Sequence, residues 1–500
     1  MFVRKKKNKS GSTSVQIIQK INGNNHVLKT IGSSCNIEEI EKLYHKALYE
    51  LPRLFGPTLF DPLQEPSISE LTNDSIRIVG PELVFGKIYD QIGYNSFKEP
   101  LLKHLVISRI THPGSKLRLS NYLNDTGEQS ISVYSIYRFL DRLNNKLKEK
   151  IEDITFAYTK SILGHKISVV FYDITTIYFE ASEPDDFRIA GFSKDGKHQN
   201  PQILLGLLVG KDGYPIGYEI FEGNTFEGHT LIPVLEKYIE RFKIEKPIVI
   251  ADSGLLNKSN IDLLTEKGFQ FILGARIKNE KISTINKILA FSLGDGEVRS
   301  IKTDDNLTLH IGYSEKRAKK DRFNRERGIR KLEKNITSGH LTKSNINNRG
   351  YNKFLKMEGE ISISIDKEKL NSDTKWDGLK GYITNTNLAS KEILENYNNL
   401  WKIEKAFRIS KTDLKIRPIY HRLKERVEAH ICISFMAYLV FKELERSIHE
   451  NKCPFSISEA IDQINKMYEV KLNEAPFQRI IRLKNNNFQS QILSIINNEF

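Results

Sequence analysis

Residues 167–176 read Ile-Ser-Val-Val-Phe-Tyr-Asp-Ile-Thr-Thr. The β-branched and aromatic residues from Ile167 to Tyr172 predict a buried strand. Asp173 lies inside this apolar run, where a carboxylate is costly unless it is paired or binds a ligand. Either Asp173 bonds nearby backbone amides at a strand end, or it belongs to a site.

A second apolar strand also delivers an aspartate. Residues 247–253 read Pro-Ile-Val-Ile-Ala-Asp-Ser, so Asp252 enters a Ser-Gly turn directly after a predicted strand. Two buried strands that each end in Asp favour two carboxylates at one edge of a sheet. Oxygen-only clusters of this kind hold Mg²⁺, with Mn²⁺ as the expected substitute.

A third carboxylate lies on a helix predicted from Lys391 to about Thr412, with Ser390 as its expected N-cap. One face of this helix collects residues at spacings of three and four, namely Tyr397, Leu400, Glu404, Phe407 and Lys411. That face should point to the core, where an unpaired glutamate is a poor structural choice. We therefore expect Glu404 to face a metal that the two aspartates hold.

These acids and this helix together resemble a known family. The set Asp173, Asp252 and Glu404 resembles the catalytic triad of DDE transposases from bacterial insertion sequences. The helix resembles their Tyr-x2-Arg-x3-Glu-x6-Lys signature, with Tyr397, Glu404 and Lys411 in register, and Tyr397 and Lys411 are expected to contact DNA. The resemblance runs from about residue 169 to residue 439.

The signature is incomplete at one position. Leu400 stands where the family has Arg. Lys402, Lys405 or Arg408 is expected to supply the missing phosphate contact, and the sequence does not choose among them.

The resemblance implies an α/β fold with a ribonuclease-H-like mixed-sheet catalytic core, a β-rich insertion and a mostly helical N-terminal region. It implies a DNA transposase that cuts and joins DNA at insertion-sequence ends, as a homodimer in its DNA complex. Asp173, Asp252 and Glu404 would hold two Mg²⁺ ions for in-line displacement at phosphorus by water or a DNA 3′-hydroxyl. Two alternatives stay open: a ribonuclease-H-like DNA nuclease without strand transfer, and an inactive DNA-binding relative.

The composition is consistent with a nucleic-acid partner. The net charge of +14 favours a polyanion, and double-stranded DNA is the expected one, although a merely basic protein is the alternative. Three cysteines without paired spacing argue against a disulfide framework or a zinc site. The longest apolar stretch, residues 429–441, is shorter than the ~20 residues of a membrane span. The expected location is the bacterial cytoplasm, at the nucleoid when DNA is bound, with no membrane contact.

The chain is expected to divide into several segments. The gap between Asp252 and Glu404 is too long for one loop of a compact domain, so it must hold its own structure. The expected segments are a basic β/α segment (1–75), a helical candidate DNA-binding domain (80–165), the first part of the core (166–278), a β-rich insertion with a basic helix (279–380), the second part of the core (381–446) and a helical tail (447–500).

The order of predicted elements supports the core assignment. Strands are predicted at 167–172, 203–209 and 213–221, and helices at 230–242 and 257–267 then alternate with strands at 248–252 and 269–274. Three hairpin-like strands followed by alternating helix and strand is the order of ribonuclease-H-like folds. By this fold-level analogy the first and fourth strands are neighbours, which would bring Asp173 and Asp252 together.

Basic residues outside the helix signature are expected to contact DNA phosphates. The loop 191–200 carries Lys194, Lys197 and His198, although an ordinary exposed loop is equally consistent with its sequence. Residues 316–334 hold ten Lys or Arg and three acidic residues, a surplus that favours phosphate contact over a merely solvated helix face. The candidate contacts in this run are Lys316, Arg317, Lys319, Lys320, Arg322 and Arg325.

Two further regions have open interpretations. The basic run at residues 4–7 is expected to be a tail, either solvated or touching DNA, ahead of strands at 14–21 and 26–31. Helices at 117–122 and 133–143 are consistent with a helix-turn-helix that presents Tyr134, Tyr137, Arg138 and Arg142 to DNA. A helical bundle that only packs is an equal alternative.

Overall fold

The computed structural model describes residues 1–21, 23–51, 75–126, 131–180, 183–191, 196, 199–303, 306–341, 345–347, 350–358, 362–474 and 477–499. The chain divides into two compact units, Met1–Ser75 and Ile76–Phe500.

The first unit is an antiparallel sheet with a helix packed on it. Its elements are β1 (Phe2–Lys7), β2 (Thr13–Ile21), β3 (Asn24–Ser34) and α1 (Ile37–Glu50), and the described strands lie in the order β1-β2-β3. Asn36 caps α1 by accepting a hydrogen bond from the Glu38 amide. Val15, Ile17 and Ala47 form the core between sheet and helix. The basic run at residues 4–7 is not a tail, because it lies in β1 and pairs with β2.

A mostly helical region opens the second unit. Its elements are β4 (Ile76–Ile78), α2 (Lys87–Ile92), α3 (Pro100–Thr111), α4 (Lys116–Thr126) and α5 (Val133–Ile162). Pro100 begins α3, a position where a missing amide hydrogen loses no helical bond. The Ser132 hydroxyl caps α5 by accepting from the Ser135 amide. Because α5 continues to Ile162, it is much longer than the helix expected at 133–143.

The elements of the core follow in the expected order. They are β5 (Val169–Tyr178), β6 (Gln202–Val209), β7 (Pro215–Glu222), α6 (Leu231–Phe242), β8 (Ile248–Ala251), α7 (Lys258–Glu266), β9 (Gln270–Ala275) and α8 (Ile282–Leu289). β5 extends to Tyr178, so Asp173 lies within a strand and not at its end.

The region predicted as an insertion contributes to the same sheet. Its elements are β10 (Val298–Lys302), β11 (Thr308–Tyr313), α9 (Glu315–Thr337), β12 (Leu355–Glu358), β13 (Ser362–Ile365), α10 (Lys367–Thr374) and β14 (Leu379–Thr384). Among the described strands the large sheet has the order β10-β11-β14-β9-β8-β5-β6-β7. β5, β8 and β9 run parallel, and the other neighbours are antiparallel. The β-rich insertion therefore widens the ribonuclease-H-like sheet, while β12 and β13 form a separate hairpin.

The C-terminal part is mostly helical. Its elements are α11 (Ser390–Asn398), α12 (Trp401–Arg408), α13 (Lys424–Glu450), α14 (Ile457–Ile464), β15 (Tyr468–Glu474), β16 (Phe477–Arg482) and α15 (Asn487–Glu499). The tail, expected to be helical, also contains the hairpin β15–β16, which pairs with β4.

Helices cover both faces of the large sheet. β6 is buried along its whole length, as expected for a central strand between two layers. α13 lies in one apolar layer, where Val427, Ile431, Phe435 and Leu439 are buried as their helical spacing predicts. α6 and α7 supply the layer on the opposite face. Across the described ranges, we find no helix with the length and apolarity of a membrane span.

Candidate active site

Two aspartates are brought together by strand register. β5 and β8 are parallel neighbours, and Tyr172 is paired with Ala251. Asp173 follows Tyr172 within β5, and Asp252 follows Ala251 directly after the end of β8, so the two aspartates are neighbours on backbones separated by about 4.8 Å. The strand pattern predicts this pairing, although Asp173 lies further inside its strand than expected.

Backbone amides orient both carboxylates. Asp173 Oδ1 accepts a hydrogen bond of 2.7 Å from the Ile174 amide. Asp252 Oδ1 accepts from the amides of Gly254 and Leu255, at 2.8 and 3.3 Å. The structure therefore also contains the hydrogen bonds to nearby backbone amides that were the alternative explanation for these aspartates. These bonds hold the two carboxylates in place beside each other.

Tyr397 connects these aspartates with Glu404. Burial raises the pKa of Tyr397, and the charges of Asp252, Glu404 and Asp173 raise it further. The phenol therefore lies within electrostatic reach of all three carboxylates. Gly274 on β9 makes room for it, since a Cβ at this position would come within 2.3 Å of the Tyr397 hydroxyl.

The helix that carries Glu404 is interrupted. The N-cap of α11 is Ala389 and not Ser390, which was the expected cap. α11 ends at Asn398, and α12 begins at Trp401. Tight i to i+3 bonds bridge the break, including the Leu400 amide to the Tyr397 carbonyl at 2.9 Å. Asparagine favours helix ends, and Asn396, Asn398 and Asn399 flank Tyr397 here.

Glu404 faces solvent and not the core. Tyr397, Leu400 and Phe407 are buried, whereas Glu404 is exposed. The expected core-facing stripe is therefore correct for its apolar members and wrong for Glu404. A glutamate in this place can turn its carboxylate toward Asp252 without leaving solvent.

Lys380 is a site residue that the sequence reasoning missed. Its ammonium lies 4.5 Å from the Tyr397 ring centroid and 5.7 Å from that of Tyr382. Burial lowers the pKa of Lys380, and Arg317 lowers it further, whereas Glu404 and Asp252 oppose the shift. The only signal in the sequence is a lysine inside the short strand Leu-Lys-Gly-Tyr-Ile-Thr of β14.

The donor set suits a hard divalent cation. Three carboxylates are ligands of the kind that Mg²⁺ and Mn²⁺ prefer. Within the described residues, no three His, Cys, Asp or Glu side chains stand together tightly enough to hold a metal in their present positions. In the same described part, the Glu404 carboxylate has no hydrogen bond or ion pair, so it is the donor best able to rotate and close the set.

A family model described as "Transposase DDE domain" matches residues 164–440, which is more than half of the chain and includes all three acids. The chain belongs to this family. It is a DNA transposase, since DDE transposases catalyse DNA cleavage and strand transfer, and they use divalent metal ions. A comparison with curated proteins found no match.

The transposase also has similar solved structures. A piggyBac transposase synaptic complex with hairpin DNA is 8% identical, with a TM-score of 0.39 over 80% of this chain and 81% of that chain. A Mos1 transposase paired-end complex with the left transposon end is 10% identical, with a TM-score of 0.16 over 47% of this chain and 67% of that chain. Likenesses this distant assign no residue of the transposase a role.

Two of the candidates for the missing signature cation are held in ion pairs. Lys402 Nζ lies 2.6 Å from Asp212 Oδ1, and Lys405 Nζ lies 2.5 Å from Glu445 Oε1. Arg408 is exposed, one turn beyond Glu404. Lys411 is half-buried in a π-helical turn at Ile409–Asp413, and this wider turn shifts it from the register that it would have in an α-helix.

The basic helix α9 has a buried and an exposed face. Lys316, Arg317, Lys319, Lys320 and Arg322 are exposed. Arg325 is only 8% exposed, and its guanidinium donates to both carboxylate oxygens of Asp377 at 2.5 Å. Arg325 therefore anchors the helix to the segment before β14, and the other cations face solvent.

Other predicted DNA contacts are less well defined. Lys194, Lys197 and His198 lie outside the described residues. Tyr134 and Arg138 are exposed on α5, whereas Tyr137 packs edge-on against His421 and Arg142 pairs with Glu99. α5 also packs along α13, as a helix of a bundle does.

Proposed function

We propose that Asp173, Asp252 and Glu404 are the catalytic and metal-ligating residues of this transposase, with Mg²⁺ as the ion and Mn²⁺ as its substitute. The observation that carries the proposal is the parallel register of β5 and β8, which makes Asp173 and Asp252 neighbours. The electrostatic link of Tyr397 to all three acids supports the inclusion of Glu404.

The three acids differ in how rigidly they are held. Asp173 and Asp252 provide fixed oxygens, because strand pairing and amide hydrogen bonds hold them. Glu404 is exposed on α12, and its carboxylate would complete the ligand set by rotating toward the aspartates. A divalent ion held by these three acids would supply activation of the attacking hydroxyl and stabilisation of the leaving oxygen at phosphorus. Buried Tyr397 separates the acids from the core and fixes their spacing.

The remaining contacts follow from charge and exposure. We assign DNA phosphate contact to Lys316, Arg317, Lys319, Lys320 and Arg322 of α9, and to Arg408 and Lys411 after Glu404. Lys402 and Lys405 would contact DNA only by leaving Asp212 and Glu445. Two copies of the chain act on paired DNA ends, and the enzyme works at the nucleoid in the bacterial cytoplasm.

Conservative replacement of each acid tests the site. Asp173→Asn, Asp252→Asn and Glu404→Gln should each lower DNA-end cleavage and strand transfer at least about 1000-fold, because a metal-held oxygen contributes several kcal/mol to such a reaction. Each should also weaken Mn²⁺ binding measured by electron paramagnetic resonance. The substrate is a duplex carrying the inverted repeat found in the DNA that flanks the coding region.

Two exposed acids serve as matched controls. Asp262 lies on α7 and Glu395 on α11, and both are solvent-exposed. Asp262→Asn and Glu395→Gln should leave cleavage and Mn²⁺ binding unchanged. A site variant that folds normally and cleaves at the parental rate removes that acid from the metal site.

A further inference from the structure

The position of the missing signature arginine is closed to solvent. Leu400 is 6% exposed, in the turn between α11 and α12. A cation that acts in its place must therefore come from another element. Arg408 lies on the opposite side of Glu404 along the helix, so it reaches a different part of the DNA.

A cavity of 350 Å³ lies beside the acids on the side of Tyr397. Ser253, the residue after Asp252, lines it together with Tyr397. Four cationic side chains also line it, namely Arg276, Lys278, Arg317 and Lys380. Its size falls within the range of small-ligand sites, which begins at roughly 300 Å³.

Two of these cations are already engaged. Lys278 pairs with Asp373 at 2.8 Å, and Arg276 donates to the Ser253 carbonyl at 3.0 Å. Among the described residues, the one ion pair of Arg317 is a long contact to Asp321, at 3.6 Å on the exposed helix surface. Lys380 has no ion pair within the described part of the chain, although it is half-buried and near Asp252 and Glu404.

The placement of Arg317 and Lys380 calls for an anion. Two like charges at one cavity repel each other unless a negative group lies between them. Asp252 and Glu404 are the nearby acids, and in the proposed function their charge is directed to the metal. A phosphodiester oxygen then satisfies both cations, and hydrogen bonds from Arg or Lys to phosphate are among the strong ones.

We propose that Lys380 and Arg317 bind the DNA phosphate next to the scissile bond, and so replace the arginine that the signature helix lacks at Leu400. Lys380 comes from β14 and Arg317 from α9, so the insertion contributes directly to the active site. The inference rests on the proposed function of Asp173, Asp252 and Glu404.

The test is a double-mutant cycle that combines protein variants with modified DNA. DNA affinity is measured in an Asp173→Asn background, which prevents cleavage, with the flanking inverted repeat as probe. Lys380→Met should weaken affinity about tenfold, whereas Lys380→Arg retains most of it, because a charged contact to phosphate contributes on this scale. With Asp173 intact, Lys380→Met should also slow cleavage and leave Mn²⁺ affinity unchanged.

Neutral methylphosphonates identify the contacted phosphate. One phosphate near the cleavage site is replaced at a time, and at the contacted position the tenfold effect of Lys380→Met should vanish. Arg317→Gln should give the same position, and because Arg317 is exposed this variant tests the site even if Lys380→Met fails to fold. Lys302→Met and Arg299→Gln change exposed positions of β10 in the same sheet and serve as controls. Their effect on affinity should be the same for every duplex, whichever phosphate is replaced.

Two results would overturn the inference. If neither Lys380→Met nor Arg317→Gln depends on the methylphosphonate position, the pair does not hold a specific phosphate. If Lys380→Met raises Mn²⁺ affinity while DNA affinity stays at the parental level, Lys380 only balances the charge of the acids. The proposed function fails separately, through cleavage by Asp173→Asn.

Discussion

At the scale of single residues, two histidines lie beside a group of buried cations, and this arrangement should make the fold less stable at low pH. Arg109 and Lys116 are 5% and 6% exposed, beside His421 and His430. Arg109 donates to His430 Nδ1 at 3.1 Å, and His430 Nε2 donates to the Ile416 carbonyl at 3.0 Å. These two bonds fix the neutral form of His430, since a protonated Nδ1 would face the guanidinium.

Both histidines should make the fold less stable in mild acid. Burial lowers the pKa of His430 well below 6.5 and, with the charges of Lys116 and Arg109, lowers that of His421 to about 3. As pH falls below 6.5, the unfolded chain therefore gains protons first. The stability that the neutral rings provide is complete above pH 6.5 and is lost progressively as pH falls below it, for His421 toward its folded-state pKa of about 3.

Urea unfolding between pH 7 and pH 5 measures this effect. The unfolding free energy should fall by up to about 1.4 kcal/mol per pH unit for each histidine. Most Asp and Glu side chains titrate below this window. His421→Gln and His430→Gln should each flatten the slope, and a variant with the parental slope would mean that the pKa of its histidine is the same in the folded and unfolded protein.

The site residues differ in how well they can be predicted from the sequence. Asp173 and Asp252 are predictable because an acid inside an apolar strand is conspicuous. Lys380 is not, since its meaning depends on β14 lying beside β9, a pairing between segments distant in the chain. Arg325 looks like its neighbours on α9, and only the facing Asp377 distinguishes it.

At the scale of elements, the two faces of α9 make separable predictions. Lys316→Gln, Lys320→Gln and Arg322→Gln combined should reduce the slope of log affinity against log salt by about 2–3. The reason is that fewer counterions are released on binding once three phosphate contacts are lost. Folding should be unaffected, since these side chains are exposed. An unchanged slope would mark this face as ordinary solvated surface.

Arg325→Gln is the counterpart on the buried face. It should lower the unfolding free energy by about 1–3 kcal/mol, because Asp377 loses its charged partner. The salt dependence of DNA binding should stay parental, as Arg325 is engaged within the protein. A changed slope with normal stability would show instead that Arg325 reaches DNA.

The helix that carries Glu404 shows what periodicity can and cannot predict. Its spacing identifies the buried positions Tyr397 and Phe407 correctly. The spacing alone does not reveal the turn at Asn399 and Leu400, nor the π-helical turn after Arg408. Both irregularities depend on local backbone bonding, and they lie on either side of the helix that carries Glu404.

At the scale of the whole molecule, the order of strands is more predictable than their partners. Three strands followed by alternating helices and strands indicate the ribonuclease-H-like core, and the structure confirms this fold. The sequence also predicts strands between Asp252 and Glu404. That β10, β11 and β14 extend the core sheet is a matter of long-range pairing, which no local pattern encodes.

The division of the chain into Met1–Ser75 and Ile76–Phe500 gives a final prediction. Each unit has its own core residues, with Val15, Ile17 and Ala47 in the first. Residues 1–75 contain ten Lys or Arg and eight Asp or Glu, so nearly all of the +14 net charge belongs to the second unit. A chain that begins at Ile76 should therefore keep its main thermal transition and its metal-dependent cleavage.

The salt dependence of DNA binding decides the role of β1. If β1 does not touch DNA, removal of residues 1–75 should change the slope of log affinity against log salt by less than about 1, the equivalent of one phosphate contact. Lys5 is already paired with Glu41, which leaves Arg4, Lys6 and Lys7 as the candidate contacts of β1. A slope that falls by about 3 would assign all three to DNA phosphates. In that case the amino-terminal sheet binds DNA even though it adds almost no net charge, because Arg4, Lys6 and Lys7 lie together on β1, whereas the described acids of the unit lie on α1.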